Sequence, residues 1–259
     1  MKDSASQKSF QVDRIHVQVY ASKNELGRMA ASFVAAKLRE AVEAKGSANL
    51  ILATGASQFD FLDAFKADRS VDWSRIHVFH LDEYVHLSIR HPASFRKYLK
   101  ERILDEVKPA RVFLLNGEAE DLDEEVRQYE RSLKQYPTDV ACIGIGENGH
   151  IAFNDPAVAD FNDPVLVKVI DLADEACRRQ QVGEGWFKTL EEVPMQALTL
   201  TIPAMMRSKT ISCVVPDRRK AQAVYRTLKG PIEPSCPASV LRTHPDAMLF
   251  LDTTSASLV

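Results

Sequence analysis

Long apolar runs and an export signal are both missing from this sequence. The longest apolar runs have the length of a strand, which is too short to span a bilayer. The opening stretch, MKDSASQKSF, has neither an apolar core nor a cleavage signature. We therefore predict no membrane partner. We also expect residues 1–12 to be a disordered lead-in to a single folded domain over residues 13–259.

Cysteine is scarce, and its spacing does not suggest pairs. The four cysteines lie far apart without a C-x-x-C motif, at Cys142, Cys177, Cys213 and Cys236. Cys142 and Cys213 fall inside apolar runs, where a cysteine is usually a small buried hydrophobic residue. This pattern favours a reducing compartment, so we predict a cytoplasmic location.

Neither sign of charge is in large excess, and glycine is sparse. The formal net charge of −3 gives no reason to expect a nucleic-acid partner. The chain has only 10 glycines, yet three of them fall close together at Gly144, Gly146 and Gly149. An apolar fraction of 45% and a charged fraction of 27% are typical of soluble globular proteins.

The sequence does contain a regular alternation of short apolar runs and longer amphipathic stretches. The apolar runs predict strands at Ile15–Tyr20, Ala48–Ala53, Ile76–His80, Val112–Leu115, Val140–Ile145, Leu166–Val169, Leu198–Thr201, Ile211–Val215 and Ala247–Leu251. The amphipathic stretches predict helices at Ser22–Ala44, Asp60–Lys66, Pro92–Val107, Asp121–Gln135, Arg218–Leu228 and Ala238–His244. This alternation predicts an α/β domain with a mostly parallel sheet and helices on both faces.

A polar loop follows the strand predicted at Ala48–Ala53. It contains Gly55, Ala56 and Ser57 and leads into a helix. The backbone N–H groups of such a junction favour an anion, and the Ser57 hydroxyl would either bind that anion or cap the helix. Because G-x-G-x-x-G and G-K-[ST] are both absent, the loop predicts neither a dinucleotide site nor a nucleoside-triphosphate site.

Titratable groups follow two other predicted strands. Asp82, one of two adjacent acids, comes just after Ile76–His80, and is a candidate for proton transfer or a residue of a solvated turn. His150 lies in the glycine-rich stretch Gly144–Pro156, where Asp155 is close enough in sequence to orient and charge the imidazole. Since the nucleophile motif G-x-S-x-G is absent, the pattern indicates acid–base chemistry rather than covalent hydrolysis.

The remaining histidines and basic residues give weaker signals. His77 and His80 are three apart on a predicted strand, so their side chains leave opposite faces, and we predict no metal site. Lys220 opens a helix after Ile211–Val215, where a basic cluster either holds a phosphate or forms a solvated helix face. The same alternatives apply to Arg178 and Arg179.

Taken together, the three loops resemble those of the glucosamine-6-phosphate deaminases, also called glucosamine-6-phosphate isomerases. The family patterns are T-G-G-[ST]-P, [MLF]-D-E-Y and G-[IV]-G-x-[DN]-G-H-[IL]-[AG]-F-N-[ED]-P. In this chain they read Thr54–Gln58, Leu81–Tyr84 and Gly144–Pro156, and the likeness extends over about residues 15 to 252. The resemblance implies a Rossmann-like three-layer α/β sandwich.

The resemblance also implies a role for each candidate residue. Asp82 would move a proton between C2 and C1 of the sugar, and His150 would open the pyranose ring while Asp155 orients and charges it. Asn148 occupies the other ring-opening position. The residues that would hold the 6-phosphate are Gly55, Ala56, Ser57, Lys220 and, from the arginine pair, Arg179.

The implied reaction converts glucosamine 6-phosphate and water to fructose 6-phosphate and ammonia. It implies a small sugar phosphate as the partner and neither a metal nor an organic cofactor. Because the family contains both monomers and oligomers, a homo-oligomer stays open. Three alternatives also stay open: a 6-phosphogluconolactonase on a related fold, a galactosamine-6-phosphate deaminase, and a non-catalytic sugar-phosphate sensor.

Several positions depart from the family pattern. Asn148 stands where many members have aspartate, and an amide cannot accept a proton. Asp155 replaces the more common glutamate and is one methylene shorter. In the first loop, Ala56 and Gln58 replace a glycine and a proline.

Overall fold

The computed structural model describes residues 6–172 and 175–259. All nine predicted strands are present, with ends that differ from the prediction by at most two residues, and two further strands join them. In chain order the strands are β1 (Lys8–Val12), β2 (Ile15–Tyr20), β3 (Ala48–Leu52), β4 (Ile76–His80), β5 (Asp82–Tyr84), β6 (Arg111–Phe113), β7 (Val140–Ile143), β8 (Val167–Asp171), β9 (Gln196–Leu200), β10 (Thr210–Val215) and β11 (Ala247–Asp252). The helices are α1 (Lys23–Lys45), α2 (Phe59–Ala67), α3 (Phe95–Leu99), α4 (Asp105–Val107), α5 (Leu122–Gln135), α6 (Glu175–Gly183), α7 (Ile202–Met206) and α8 (Ala221–Lys229), with a π-helical turn between α3 and α4.

Eight of the strands form one sheet in the order β1-β2-β11-β10-β7-β3-β4-β6. Every pairing in this sheet is parallel except that of β1 with β2. Side chains alternate between its faces: Leu50 and Leu52 join the core that contains α1 and α2, whereas Ile51 joins the core that contains α5 and α8. The sheet therefore lies between two helical layers, which confirms the predicted three-layer α/β fold.

The expectation of a disordered lead-in over residues 1–12 is wrong for Lys8–Val12. This segment is the edge strand β1, which pairs antiparallel with β2 and places Phe10 opposite Val17. Its residues are mostly exposed, so the apolar alternation that would announce a strand is weak, and pairing with the edge of β2 orders it. Residues 1–5 lie outside the described residues.

A second, antiparallel sheet lies beside the carboxyl end of the first. It has the order β5-β9-β8, and β5 consists of the Asp82–Tyr84 segment that the sequence placed in a loop. Asp82 pairs with Thr199 in this register. The acidic pair is therefore held by ladder hydrogen bonds rather than by a solvated turn.

Helix ends follow ordinary capping rules where the prediction was accurate. Ser22 accepts a hydrogen bond from the backbone N–H of Glu25 at the start of α1, and Gly46 ends that helix in the left-handed region. The predicted helix at Ala238–His244 is instead a 3₁₀ turn over Pro237–Thr243, in which the Ser239 hydroxyl accepts from the Glu233 N–H. Among the described residues, no helix combines the length and the apolar character that crossing a membrane requires.

Candidate active site

The strands β10, β7, β3 and β4 are neighbours in the sheet, and the loops at their carboxyl ends converge on one cleft. The cleft contains about 590 Å³ of space including its open mouth. Its polar lining comes from Thr54, Ser57, Asp82, His150, Gln180, Gln181, Glu184 and Lys220. Residues from all three predicted loops therefore face the same space.

Asp82 lies on this cleft with little exposure to water. Its exposed fraction is 7%, and burial together with the neighbouring Glu83 charge raises the pKa of Asp82 well above that of an ordinary aspartate. A carboxylate with a raised pKa is a stronger base, which suits proton abstraction. The structure thus places Asp82 on the cleft, with the raised pKa that suits a base.

Glu83 is turned away from the cleft and anchors β5. Its carboxylate accepts hydrogen bonds from the Ser94 hydroxyl (2.8 Å), from the backbone N–H groups of Phe95 and Arg96 at the start of α3, and from Arg96 Nε (3.0 Å). The Arg96 guanidinium also donates to Glu118. This buried network holds the backbone that carries Asp82.

One ring nitrogen of the His150 imidazole is already engaged by two neighbouring side chains. Nδ1 lies 2.8 Å from Asn148 Oδ1 and 3.1 Å from Asp155 Oδ1, and both partner atoms are acceptors. The Asn148 orientation is set by its other contacts, since its Oδ1 also accepts from the His150 backbone N–H and its Nδ2 donates to Asp155. Nδ1 must therefore carry a hydrogen, and Nε2 is the nitrogen left to exchange a proton in the cleft.

Asp155 completes this arrangement from a buried position. Burial by itself would raise the pKa of Asp155, but the facing His150 and hydrogen bonds from His150, Asn148 and Cys177 lower it below the usual value. The carboxylate therefore stays charged beside the imidazole. Asn148 works here as a bridge between the two, not as a second proton acceptor.

Gly146 is a site residue that the sequence reading counted only as a turn former. A Cβ at this position would lie 2.0 Å from Cε1 and 2.2 Å from Nε2 of His150, so the imidazole packs directly on the glycine backbone. The signal was present in the glycine spacing, since Gly144 and Gly149 flank it. Only the folded loop shows which glycine the histidine needs.

The first loop has the geometry of an anion site. Gly55 has φ of 98°, a conformation that favours glycine, and its carbonyl accepts a hydrogen bond from the Tyr98 hydroxyl at 2.8 Å. Ala56 and Ser57 follow in the 3₁₀ turn Ala56–Gln58. Gln58 Nε2 donates to Ser57 Oγ at 3.0 Å, which leaves the Ser57 hydroxyl hydrogen available for a ligand.

Lys220 lies across the cleft from this loop in the 3₁₀ turn Arg218–Lys220, and its side chain is 5% exposed. Burial lowers the pKa of Lys220, and the charges of Glu184 and Glu147 oppose that shift. Glu184 Oε1 is 3.9 Å from Lys220 Nζ. The sequence reading gave Glu184 no role.

The phosphate contact of Arg179 remains a prediction, because the structure does not place Arg179 in the lining of the cleft. Arg179 lies on the outer face of α6, with its side chain 72% exposed and paired to Glu175. The neighbouring Arg178 donates to Met195 Sδ instead of entering the cleft. Helix periodicity turns both arginines away, and Gln180 and Gln181 line the cleft in their place.

Within residues 6–172 and 175–259, one group of side chains could hold a metal ion. His150, Asp155 and Cys177 each offer a ligand atom, and these atoms lie within 4.8 Å of one another. An ion there would take the place of the hydrogen on His150 Nδ1 and the hydrogen bonds around it.

Fold and cleft together define an α/β protein with a small-molecule cleft at the carboxyl ends of its parallel strands. The chain belongs to the family described as glucosamine-6-phosphate isomerases/6-phosphogluconolactonase, whose model matches residues 21–250. The family description includes both the isomerase activity that the sequence predicted and the lactonase activity that it left open as an alternative.

Two individual relatives in this family are named as deaminases. The chain is 35% identical to a glucosamine-6-phosphate deaminase of Listeria monocytogenes serotype 4a, over 94% of this chain and 100% of that protein. It is also 35% identical to the deaminase of Streptococcus gordonii, over 92% of this chain and 97% of that protein.

The comparison with solved structures agrees with the comparison of sequences. A monomeric glucosamine-6-phosphate deaminase superposes with a TM-score of 0.85 at 32% identity, over 94% of this chain and 99% of that chain. A 6-phosphogluconolactonase from Shewanella baltica superposes with a TM-score of 0.76 at 17% identity, over 94% and 99% of the two chains. The lactonase likeness extends to the fold alone.

Proposed function

We propose that this protein is a glucosamine-6-phosphate deaminase, which converts glucosamine 6-phosphate and water to fructose 6-phosphate and ammonia. The observation that carries the proposal is that Asp82, His150 and Lys220 all line one cleft. Two proton-transfer groups and a cation are what an isomerising deaminase of a sugar phosphate needs.

Ring opening is the step we assign to His150. Its Nε2 takes the proton from the C1 hydroxyl and delivers a proton to the ring oxygen, so the C1–O5 bond breaks and C1 becomes an aldehyde. Nδ1 keeps its hydrogen throughout, held by Asn148 and Asp155. The Asp155 charge stabilises the imidazolium that forms during the transfer.

Isomerisation is the step we assign to Asp82. Its carboxylate removes the proton from C2 and returns it to C1. O1 takes up a proton and the amino nitrogen at C2 gives one up, so the aldehyde becomes a hydroxyl and an imine forms at C2. Water then adds to C2 and ammonia leaves, giving the ketose. Because burial raises the pKa of Asp82, the group holds the transferred proton more readily than an exposed aspartate would.

The phosphate is the part of the substrate we assign to the first loop and Lys220. Gly55, Ala56 and Ser57 would offer backbone N–H groups and a hydroxyl, and Lys220 a positive charge. Because the net reaction consumes water, we group the enzyme with hydrolases, although its bond changes are mostly those of an isomerase. The buried cysteines, which form no disulfide among the described residues, support a reducing, cytoplasmic compartment. The homo-oligomer that the family allows stays a prediction.

A 6-phosphogluconolactonase is the main competing function. Lactone hydrolysis has no need for a base that moves a proton between two carbons, and Asp82 would then have no work. The 35% identity to named deaminases, against 17% to a lactonase structure, also favours deamination.

A substrate panel tests the proposal. Purified protein is incubated with glucosamine 6-phosphate, galactosamine 6-phosphate or 6-phosphogluconolactone, and ammonia and acid release are followed. We expect ammonia and fructose 6-phosphate from the first substrate. Hydrolysis of the lactone, with no ammonia from either amino sugar, would overturn the assignment.

A further inference from the structure

A carboxylate lines the end of the cleft that we assign to the phosphate. Glu184 Oε1 is 3.9 Å from Lys220 Nζ, and Glu184 Oε2 is 3.8 Å from the position that a Cβ would take on Gly55. A site for a phosphate group is an unfavourable place for a negative side chain, since like charges in a partly buried site repel strongly. Its presence calls for a chemical reason.

Glu184 is built into the site rather than left on the surface. Its side chain is 8% exposed. Oε1 accepts a hydrogen bond from Gln180 Nε2 at 2.9 Å, and Oε2 accepts one from Trp186 Nε1 at 3.2 Å. The Trp186 ring in turn packs against Phe59 and Tyr98.

The same segment is tied to the catalytic loop. Gln180 Oε1 accepts from the Glu147 backbone N–H at 3.0 Å, so one amide connects Glu184 to the loop that carries His150. Each oxygen of the Glu184 carboxylate uses one acceptor position for these bonds and keeps another. The lone pairs that remain on the carboxylate can only accept hydrogen bonds, and Glu184 lines the cleft.

We propose that Glu184 determines the specificity of the phosphate subsite, by accepting a hydrogen bond from a proton carried on the ligand's phosphate. The inference rests on the proposed function, because it takes this end of the cleft as the phosphate subsite. Lys220 and Ser57 attract any tetrahedral anion. Glu184 admits the phosphate group that carries a proton and rejects a tetrahedral anion of similar size that has none.

The discrimination follows from the cost of an unmatched acceptor. A phosphate group with a proton donates to Glu184 and removes the repulsion, whereas sulfate offers only lone pairs to the carboxylate. Sites that require a hydrogen bond reject analogues that lack the donor far more strongly than apolar pockets reject a missing methylene. The subsite therefore combines attraction by one residue with rejection by another.

Inorganic phosphate and sulfate are the probes that separate these effects. At neutral pH the first carries at least one proton and the second carries none. Their dissociation constants for the wild-type protein and for Glu184→Gln are measured by calorimetry at constant ionic strength. We expect the wild type to prefer phosphate by about tenfold or more. We expect Glu184→Gln, which adds a donor, to bind sulfate about tenfold more tightly and lose the preference.

Two further variants test whether the loss of preference comes from the missing acceptor or from an indirect effect. Glu184→Ala also removes the acceptor and should lose the preference, and thermal unfolding shows whether each variant is folded. Glu147→Gln is the matched control, since Glu147 acts electrostatically on Lys220 but has a side chain 40% exposed outside the cleft lining. This control should shift both anions alike and keep their ratio.

The outcomes are distinct. Equal binding of the two anions by the wild type, weak binding of both, or an equal gain for both in Glu184→Gln would overturn the inference. Ammonia release from glucosamine 6-phosphate is measured on the same preparations. If ammonia is released while the anion preference is absent, the role of Glu184 fails alone; if no ammonia is released, the proposed function fails first.

Discussion

The two ends of the cleft are constructed in different ways. At the proton-transfer end, His150 is held by two acceptors, and Asp82 lies on a strand anchored by a buried carboxylate–guanidinium network. At the phosphate end, Lys220 has a carboxylate 3.9 Å away, which is beyond hydrogen-bond distance. The first end is arranged before substrate arrives, whereas the second keeps its cation available for a ligand.

Because of this difference, we expect substitutions at one end to change the reaction rate and substitutions at the other end to change substrate binding. Prearranged donors and acceptors stabilise charge that develops in the reaction, so changes at the proton-transfer end should lower kcat. Contacts to a remote phosphate contribute mainly to substrate binding, so changes at the phosphate end should raise KM. The variants that follow test that division.

The largest effect is expected at Asp82. Asp82→Asn keeps the shape but removes the base, so kcat should fall by about 10³-fold or more while substrate still binds. Steady-state ammonia release and substrate binding are measured together. The control is Asp105→Asn, since Asp105 is an exposed surface aspartate. A kcat within a few-fold of wild type would remove Asp82 from the reaction.

The same substitution should change stability in a pH-dependent way. The folded protein raises the pKa of Asp82, so stability is lost as pH rises through that raised pKa and the buried group ionises. The amide of Asp82→Asn does not ionise. The unfolding temperature of the variant should therefore exceed that of the wild type at neutral pH, and the difference should disappear in acid. Parallel curves would contradict the raised pKa.

The next effect is expected at Gly146. An added methyl would lie 2.0 Å from the His150 ring, so Gly146→Ala must displace the imidazole. A displacement of about 1 Å can cost about 10²-fold in rate, and we expect kcat to fall by that order. The control is Gly183→Ala, because a Cβ there meets nothing within 4 Å. Unchanged activity in Gly146→Ala would show that the position of His150 is not critical.

The phosphate end should respond in KM. Lys220→Met keeps much of the side-chain volume and removes the charge, and a lost charge-assisted hydrogen bond of about 1.5–3 kcal/mol predicts a rise in KM of roughly 10- to 100-fold. Lys229→Met, at the exposed far end of the same helical segment, is the control. A fall in kcat at constant KM would break the division between the two ends.

The smallest effect is expected at Asn148. Asn148→Asp would place a carboxylate oxygen about where Nδ2 now donates to Asp155 at 2.7 Å, so two carboxylates would have to share a proton. We expect about a tenfold loss of kcat. In the double variant with Asp155→Glu, which restores the commoner family pair, the loss should be smaller. Additive effects in this double-mutant cycle would show that the bridge is unimportant.

Sequence patterns predicted the strands of the large sheet well, because their apolar residues recur with the spacing of a strand. β2 (IHVQVY) and β4 (IHVFH) have the predicted bounds. Edge strand β1 and the short β5 were missed, because exposed or acidic residues gain their strand conformation from pairing and not from their own hydrophobicity.

The candidate site was predictable in its loops and not in α6. Asp82, His150 and Lys220 follow strands, so topology alone brings them together. Helix α6 is short and polar, and the sequence did not reveal its phase. A rotation by one residue decides whether Arg179 or Gln180 faces the cleft, and that rotation depends on contacts such as the Trp186 packing.

The most direct test of the acid–base account is product labelling in deuterated water. Fructose 6-phosphate formed from glucosamine 6-phosphate is examined by NMR, with ammonia measured in parallel. If Asp82 carries a proton from C2 to C1 and exchanges it with solvent, deuterium should appear at C1 of the product in the wild type, and Asp82→Asn should form neither product. Ammonia formed at the wild-type rate by Asp82→Asn, with label at C1, would contradict the account.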